Sequence, residues 1–188
     1  MEKQLRKKIL LVNSVCGRGS TGRICTDLYD LAEKDGFDCC IAYGRDTAPE
    51  AYTTYHIGNK IELYLHVLLT RIFDVHGLAS TLSTKKFIKL IDKFKPNIIH
   101  FHNIHGYYIN MNIVLNYLKI HPEIKSIFTL HDCWTFTGHC SHYLYEGCDK
   151  WKSGCHHCPL KKDYPQSMII DNSKNNYKIK KNLFTGLK

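Results

Sequence analysis

Long apolar runs are missing from this sequence. No stretch approaches the roughly 18 residues needed to span a bilayer, so a membrane-crossing chain is not expected. A secretory leader is not expected either. The basic start, Lys3 to Lys8, leads only into Ile9–Val12 before Asn13 and Ser14 interrupt, which is too short for the apolar core of a signal. A cytoplasmic protein is the expectation. An even cysteine count is also lacking: nine cysteines cannot all pair, which excludes a complete disulfide framework. In a reducing compartment, clustered cysteines more often bind metal or do chemistry. Repeats and low-complexity tracts are absent, and 188 residues suit one sizeable hydrophobic core, or at most one and a half. With 44% hydrophobic and 23% charged residues, the chain has the composition of a folded protein.

Positive charge is abundant. The formal net charge is +9, with Lys and Arg grouped at Lys3–Lys8, Lys85–Lys95, Lys150–Lys162 and Lys174–Lys188. Such a surface suits phosphorylated substrates, anionic lipid headgroups or nucleic acid. A solvated lysine-rich face is the plainer alternative.

The chain alternates strand-like and helix-like segments. Ile9–Val15 is a β-branched apolar run suited to a buried parallel strand, and it ends in Cys16-Gly17-Arg18-Gly19-Ser20-Thr21-Gly22. Ile24, Leu28, Leu31 and Ala32 recur at helical spacing up to Gly36, a plausible C-cap. Asp38–Tyr43 reads as a second strand, and Tyr55–Ile57 as a short further one. Ile61, Tyr64, Leu65, Leu68 and Ile72 mark a second helix. A third begins near Ser83 or Thr84, carries Phe87, Ile88, Ile91 and Phe94 on one face, and stops at Pro96. Residues 97–102 (NIIHFH) form a strand, Asn110 caps a fourth helix ended by Pro122, and Ser126–Leu130 is the last clear strand. This order predicts an α/β fold, a Rossmann-like doubly wound parallel sheet. A cysteine-rich loop, 133–165, follows the last strand. The lysine-rich tail, 166–188, is expected to form a short helix leading out of the domain.

Three features carry chemistry. The first is the literal G-x-G-x-x-G of Gly17, Gly19 and Gly22 between strand and helix, where free backbone N–H groups and the helix dipole favour an anion. A dinucleotide site also wants an acidic residue about 20 positions on. The second strand ends instead in Tyr43-Gly44-Arg45, which weakens an NAD reading and leaves an NADP-dependent oxidoreductase as an alternative. A glycine turn serving only helix–sheet packing is the structural alternative. The second feature is the polar set at the strand ends, His102-Asn103-Ile104-His105 and His131-Asp132, since ligands of open parallel sheets bind beyond the carboxyl ends of the strands. A lone histidine at a strand end is usually a structural hydrogen-bonding group; several converging on one edge point to function.

The third feature is residues 131–165, which hold five of the nine cysteines, five of the twelve histidines and both tryptophans. Cys140, Cys148, Cys155 and Cys158 could close a tetrahedral structural zinc site, with His139, His142, His156 and His157 as substitutes for any one of them. Unpaired thiols and a redox C-x-x-C are the alternatives, although redox motifs usually open a helix and Pro159 follows here. A basic zinc-containing nucleic-acid module is a further alternative, opposed by the buried parallel core.

Taken together, the segments VCGRGSTGRI, IIHFHNIHGYYIN, TLHDCWTFTGHC and GCDKWKSGCHHCPLKKDYP resemble the N-terminal domain of a GT-B fold, retaining family 4 glycosyltransferase of the bacterial surface-polysaccharide type. The resemblance covers nearly the whole chain. It implies a nucleotide-sugar donor and a sugar or lipid-linked acceptor, with nucleic acid not expected as a partner. Gly17, Gly19 and Gly22 would lie near the donor phosphates and the acceptor. His131 would contact the transferred sugar as the catalytic residue, and Asn103 and His105 would line the acceptor side. Trp134 would offer a stacking platform for a sugar ring. The family's nucleotide-sugar site and paired glutamates lie in a second Rossmann-like domain, so residues 1–165 are expected to be the acceptor-side domain and 166–188 the start of the interdomain connection. The chain alone is then expected to be inactive without a donor-binding domain or partner chain, and to work at the inner, anionic face of the membrane.

Overall fold

A computed structural model describes residues 6–187. The described residues form β1 (Lys8–Asn13), α1 (Gly19–Lys34), β2 (Asp38–Tyr43), β3 (Thr54–His56), α2 (Lys60–Phe73), α3 (Thr81–Phe94), β4 (Ile98–Phe101), α4 (Met111–Ile120), β5 (Lys125–Phe128) and α5 (Ser173–Phe184). Two short 3-10 turns, Leu144–Glu146 and Lys150–Lys152, interrupt the long segment between β5 and α5. The fold is α/β, and every strand pairing is parallel.

Strand order is β3-β2-β1-β4-β5. The chain builds outward from β1 in one direction to β3, then crosses back and builds outward in the other direction through β4 to β5. The reversal lies between β1 and β4, which pair from Ile9↔Ile98 to Val12↔Phe101. At such a point the flanking connections depart to opposite sides, leaving a crevice beyond the carboxyl ends of the two strands. Alternation along the strands then assigns each residue to a face. Leu10, Val12, Ala42, Ile99 and Phe101 pack with Phe87, Ile91, Val114, Leu115 and Leu118 of α3 and α4. Leu11, Cys39, Ile41 and Tyr43 pack on the other face with Cys25 and Tyr29 of α1. Each large side chain buried this way contributes roughly 1.5–3 kcal/mol. Burial also pushes the thiols of Cys16, Cys39 and Cys40 up to about 11 and that of Cys25 up to about 12, so these four are inert core residues.

Several boundaries differ from the periodicity for identifiable reasons. β1 ends at Asn13 instead of Val15 because the Asn13 amide turns back and donates to the Val15 carbonyl at 2.8 Å. α3 begins at Thr81, ahead of Ser83 and Thr84, which serve other bonds. Ser83 donates to the Glu62 carboxylate, while Thr84 Oγ1 accepts from the Asn110 N–H at 2.8 Å. The apolar stripe of α2 points outward, with Ile61 80% exposed and Tyr64, Leu65 and Leu68 also exposed. Its inner face is polar. His66 bonds to Ser80 Oγ at 2.8 Å and accepts from the Gly77 N–H at 3.1 Å.

The tail forms α5, and its inner face is buried against the domain, Leu183 joining the main core. A buried polar knot fixes it there. Asp74, at the left-handed C-cap of α2, holds His139 Nδ1 at 2.6 Å and accepts from the Asn172 N–H at 3.0 Å, while its carbonyl accepts from Asn176 Nδ2 at 2.6 Å. Lys180 Nζ donates to the Trp134 carbonyl at 2.6 Å and lies 3.8 Å from that ring's centroid. Burial pushes this ammonium down to about 7, against the charge of Asp74.

Candidate functional site

The glycine turn opens α1. Gly17 has φ +68°, and a Cβ there would meet Pro49 at 2.7 Å, so both conformation and space demand glycine. Its N–H donates to the Gly22 carbonyl at 3.1 Å, closing the turn. Helix α1 starts at Gly19 with no side-chain cap and no acidic residue in its first turn. The first-turn N–H groups and the positive end of the dipole can therefore receive an anion.

A single buried carboxamide ties this turn to the next strand. Asn13 is fully buried at the end of β1. Besides its bond to Val15, its Nδ2 donates to Thr21 Oγ1 at 3.3 Å, and its Oδ1 accepts from the Asn103 N–H at 3.3 Å. Asn103 Nδ2 reaches the same Thr21 oxygen at 3.5 Å. Sequence reasoning missed Asn13; the available signal was an uncapped polar residue closing an otherwise apolar strand.

Beyond β4 and β5 the histidines come together. His102 Nδ1 lies 3.0 Å from His131 Nε2, with the two rings stacked at 5.3 Å. Burial, together with the neighbouring His100 and His131, pushes His102 down to about 3. A neutral His102 fixes the tautomer relation of the pair, since one nitrogen must donate and the other accept. His131 is only half-buried. His105 is buried, with Nε2 2.8 Å from Asp132 Oδ2 and Nδ1 3.3 Å from the Tyr164 hydroxyl. Burial raises the Asp132 carboxyl, but His105 and the Trp134 N–H together hold it below its ordinary value. His76, which the sequence reading did not single out, stands behind this group and accepts from the Gly106 N–H at 3.1 Å. Its burial keeps it neutral.

Gly17, Gly19, Gly22, Asn103, His105 and His131 thus line the turn, the β4 end and the β5 end around the strand-order reversal. Trp134 does not present a stacking face. It is 1% exposed, with Lys180 over one face, His76 and His105 against it and no room for a Cβ on Gly77, 2.6 Å away. It braces the crevice from inside.

The four-cysteine zinc cage has no counterpart in this geometry. Among the described residues no three His, Cys, Asp or Glu side chains are grouped to hold a metal ion. Cys140 and Cys158 do meet: the Cys158 thiol donates to Cys140 and draws it down to about 6, while Cys158 itself is raised. Cys155 feels the charge of Cys140 and Cys148, and backbone and lysine bonds set the loop's path. Cys133 N–H donates to the Ser141 carbonyl at 2.8 Å, Lys150 Nζ holds the His157 carbonyl at 3.0 Å, and Cys158 N–H reaches Asp171 at 2.7 Å.

Two larger cavities adjoin these elements. One, about 680 Å³, lies beyond the ends of β2 and β3 and is lined by Arg18, Arg45, His56 and Lys60. The other, about 640 Å³, is apolar and lies between β5, Phe136, Trp151 and α5. Only the first shares a residue with the glycine turn.

An all-parallel sheet whose order reverses beside a glycine turn, with histidines grouped beyond the neighbouring strands, defines a Rossmann-like domain. The chain belongs to the glycosyl transferase 4-like family, whose model matches residues 21–146. It is 37% identical over 176 residues to a putative colanic acid biosynthesis glycosyl transferase, WcaC, of Escherichia coli strain K12, covering 86% of this chain and 42% of that protein. The chain therefore spans about two fifths of the length of the curated relative it matches. No helix among the described residues is long and apolar enough to cross a membrane.

The depressed value of His102 has a measurable consequence. Between about 3 and the ordinary 6.5 the unfolded chain binds a proton at His102 that the native state does not, so this residue removes stability as pH falls through that window. Ring NMR signals of His102 are expected to stay those of a neutral imidazole from pH 8 down to 5; a titration midpoint near 6.5 contradicts the buried pair.

Proposed function

We propose that this chain is the acceptor-side half of a retaining glycosyltransferase that moves a sugar from a nucleotide-sugar donor to a glycan or lipid-linked acceptor in polysaccharide biosynthesis. The observation that carries the reading is the contact of His131, beyond β5, with buried His102, beyond β4, on the same sheet edge as the glycine turn. The free first turn of α1 receives the donor pyrophosphate. His131 hydrogen-bonds the transferred sugar from a position set by its contact with His102. Asn103, fixed to Thr21 and Asn13, lies between the two. The family membership supports this reading over an oxidoreductase or a nucleic-acid module.

The outward stripe of α2 gives the domain its working surface. Ile61, Tyr64, Leu65 and Leu68 are exposed, and Met168 and Ile169 extend the patch through the bond from Met168 N–H to the Arg71 carbonyl at 2.7 Å. An apolar stripe flanked by cations on a chain of net charge +9 suits an anionic bilayer surface.

In a transfer assay of the full-length protein with a panel of nucleotide sugars and membrane-lipid acceptors, His131→Ala should lower kcat/KM about a hundredfold or more with an unchanged thermal midpoint. Wild-type turnover by that variant removes His131 from the reaction. In vesicle co-sedimentation, the double variant Leu65→Glu, Leu68→Glu should lose binding to anionic vesicles; equal binding by wild type and variant refutes the membrane-facing role of α2.

A further inference from the structure

We infer that the basic cavity beyond β2 and β3 is a second anion site, which holds the phosphate or pyrophosphate group of the acceptor. The word acceptor rests on the transferase reading above; the binding of an anion does not.

Four separate segments direct cationic or protonatable side chains into this cavity: Arg18 from the glycine turn, Arg45 after β2, His56 at the end of β3 and Lys60 at the start of α2. Asp46 is the one carboxylate among its lining residues. Glu62, two residues further along α2, is engaged by Ser83. Among the described residues, none of Arg18, Arg45 and Lys60 forms an ion pair. Three cations therefore face one carboxylate across a space large enough for a diphosphate.

Arg45 supplies the second observation. Its Nε is buried and has no hydrogen-bond partner. A buried guanidinium donor left empty costs more than a neutral one, and sites that keep such a donor usually complete it with a ligand oxygen. The backbone beneath it is rigid: the N–H groups of Gly44 and Arg45 both donate to the Ser14 carbonyl, at 3.2 and 2.9 Å. Gly44 is also pressed against Tyr108, where a Cβ would lie 2.0 Å from the ring. The planar fork of Arg45 is thus presented from a fixed base, as bidentate phosphate recognition requires.

The cavity is placed to serve the crevice. Arg18 is the residue immediately before α1, so it stands between the cavity and the first-turn N–H groups. The charge of Arg45 reaches both Tyr107 and Tyr164, and Tyr164 contacts His105. Tyr64, which lines the cavity, also belongs to the exposed stripe of α2. An anion held here sits on the acceptor side, with the donor pyrophosphate at the first turn of α1.

The test is a titration of the 15N-labelled chain with inorganic pyrophosphate, read by amide NMR shifts. Shifts are expected at Arg45, Gly58, Asn59 and Lys60, with affinity falling steeply as salt rises. Arg45→Gln and Lys60→Gln should each weaken binding about tenfold or more, and the exposed Lys178→Gln should not change it. Lys60 is exposed, so its variant reads the site even where loss of Arg45 disturbs folding. Shifts confined to Gly19–Gly22, or affinities unchanged in both variants, overturn the inference. Repeating the titration with farnesyl pyrophosphate and with a sugar 1-phosphate identifies the source: tighter binding of the first marks a lipid-linked acceptor, of the second a soluble one. Pyrophosphate binding without any sugar transfer by the full-length protein would sink the transferase reading and leave the site. Transfer with no binding at the cavity would do the reverse.

Discussion

Everything proposed for this domain depends on where the Asn13 carboxamide puts its hydrogen bonds. It ends the central strand, it is fully buried, and it joins three segments at one point: Val15 in the turn, Thr21 in the first turn of α1 and Asn103 after β4. Each bond contributes only about 0.5–1.5 kcal/mol net. Left empty, however, the same buried donors and acceptors would each cost a comparable or larger amount, so the three segments hold one geometry or lose it together. The crevice at the strand-order reversal inherits its shape from that constraint. So does the spacing between the first-turn N–H groups of α1 and the histidines beyond β4 and β5.

A second polar knot holds the far wall. Asp74 pairs with His139 at 2.6 Å with both side chains out of solvent, and also receives Asn172 and Asn176 from the segment around α5. Removing one member of a buried pair of this kind typically costs about 3–5 kcal/mol. The knot explains how a 44-residue irregular stretch between β5 and α5 keeps its path with only two short 3-10 turns inside it. It also explains Trp134, which is clamped between Lys180 and the histidine group. The loop is a brace for the crevice, organised by buried hydrogen bonds to α2 and α5.

The parallel core was legible because its signal is local. β2 occupies Asp38–Tyr43 as the β-branched and apolar run suggests, and Asn110 caps α4 through bonds to the Asn112 and Ile113 N–H groups. The glycine turn and the histidines at the strand ends were also visible, since topology alone places strand ends together. What resisted reading was decided by contacts distant in sequence. The stripe of α2 has the spacing of a buried face, yet polar bonds from His66 and Glu62 turn it outward. Trp134 looked like a platform because nothing local says that Lys180, 46 positions on, covers it. Cysteine spacing suggested a metal cage, while among the described residues no group of three ligands is placed to hold an ion and the loop's bonds to Asp171 and Ser141 bring Cys140 and Cys158 together. Tyr164 and His76 reach the site from remote segments and left no motif.

The two larger cavities lie on opposite sides of the strand-order reversal, one beyond β2 and β3 and one between β5 and α5. The most direct test of the account is to photo-crosslink the full-length protein with a diazirine-bearing nucleotide sugar and map the adduct by mass spectrometry. Labelling is expected within residues 102–105 or 129–132, at the ends of β4 and β5. Labelling between Tyr177 and Thr185, beside the apolar cavity under α5, would contradict it.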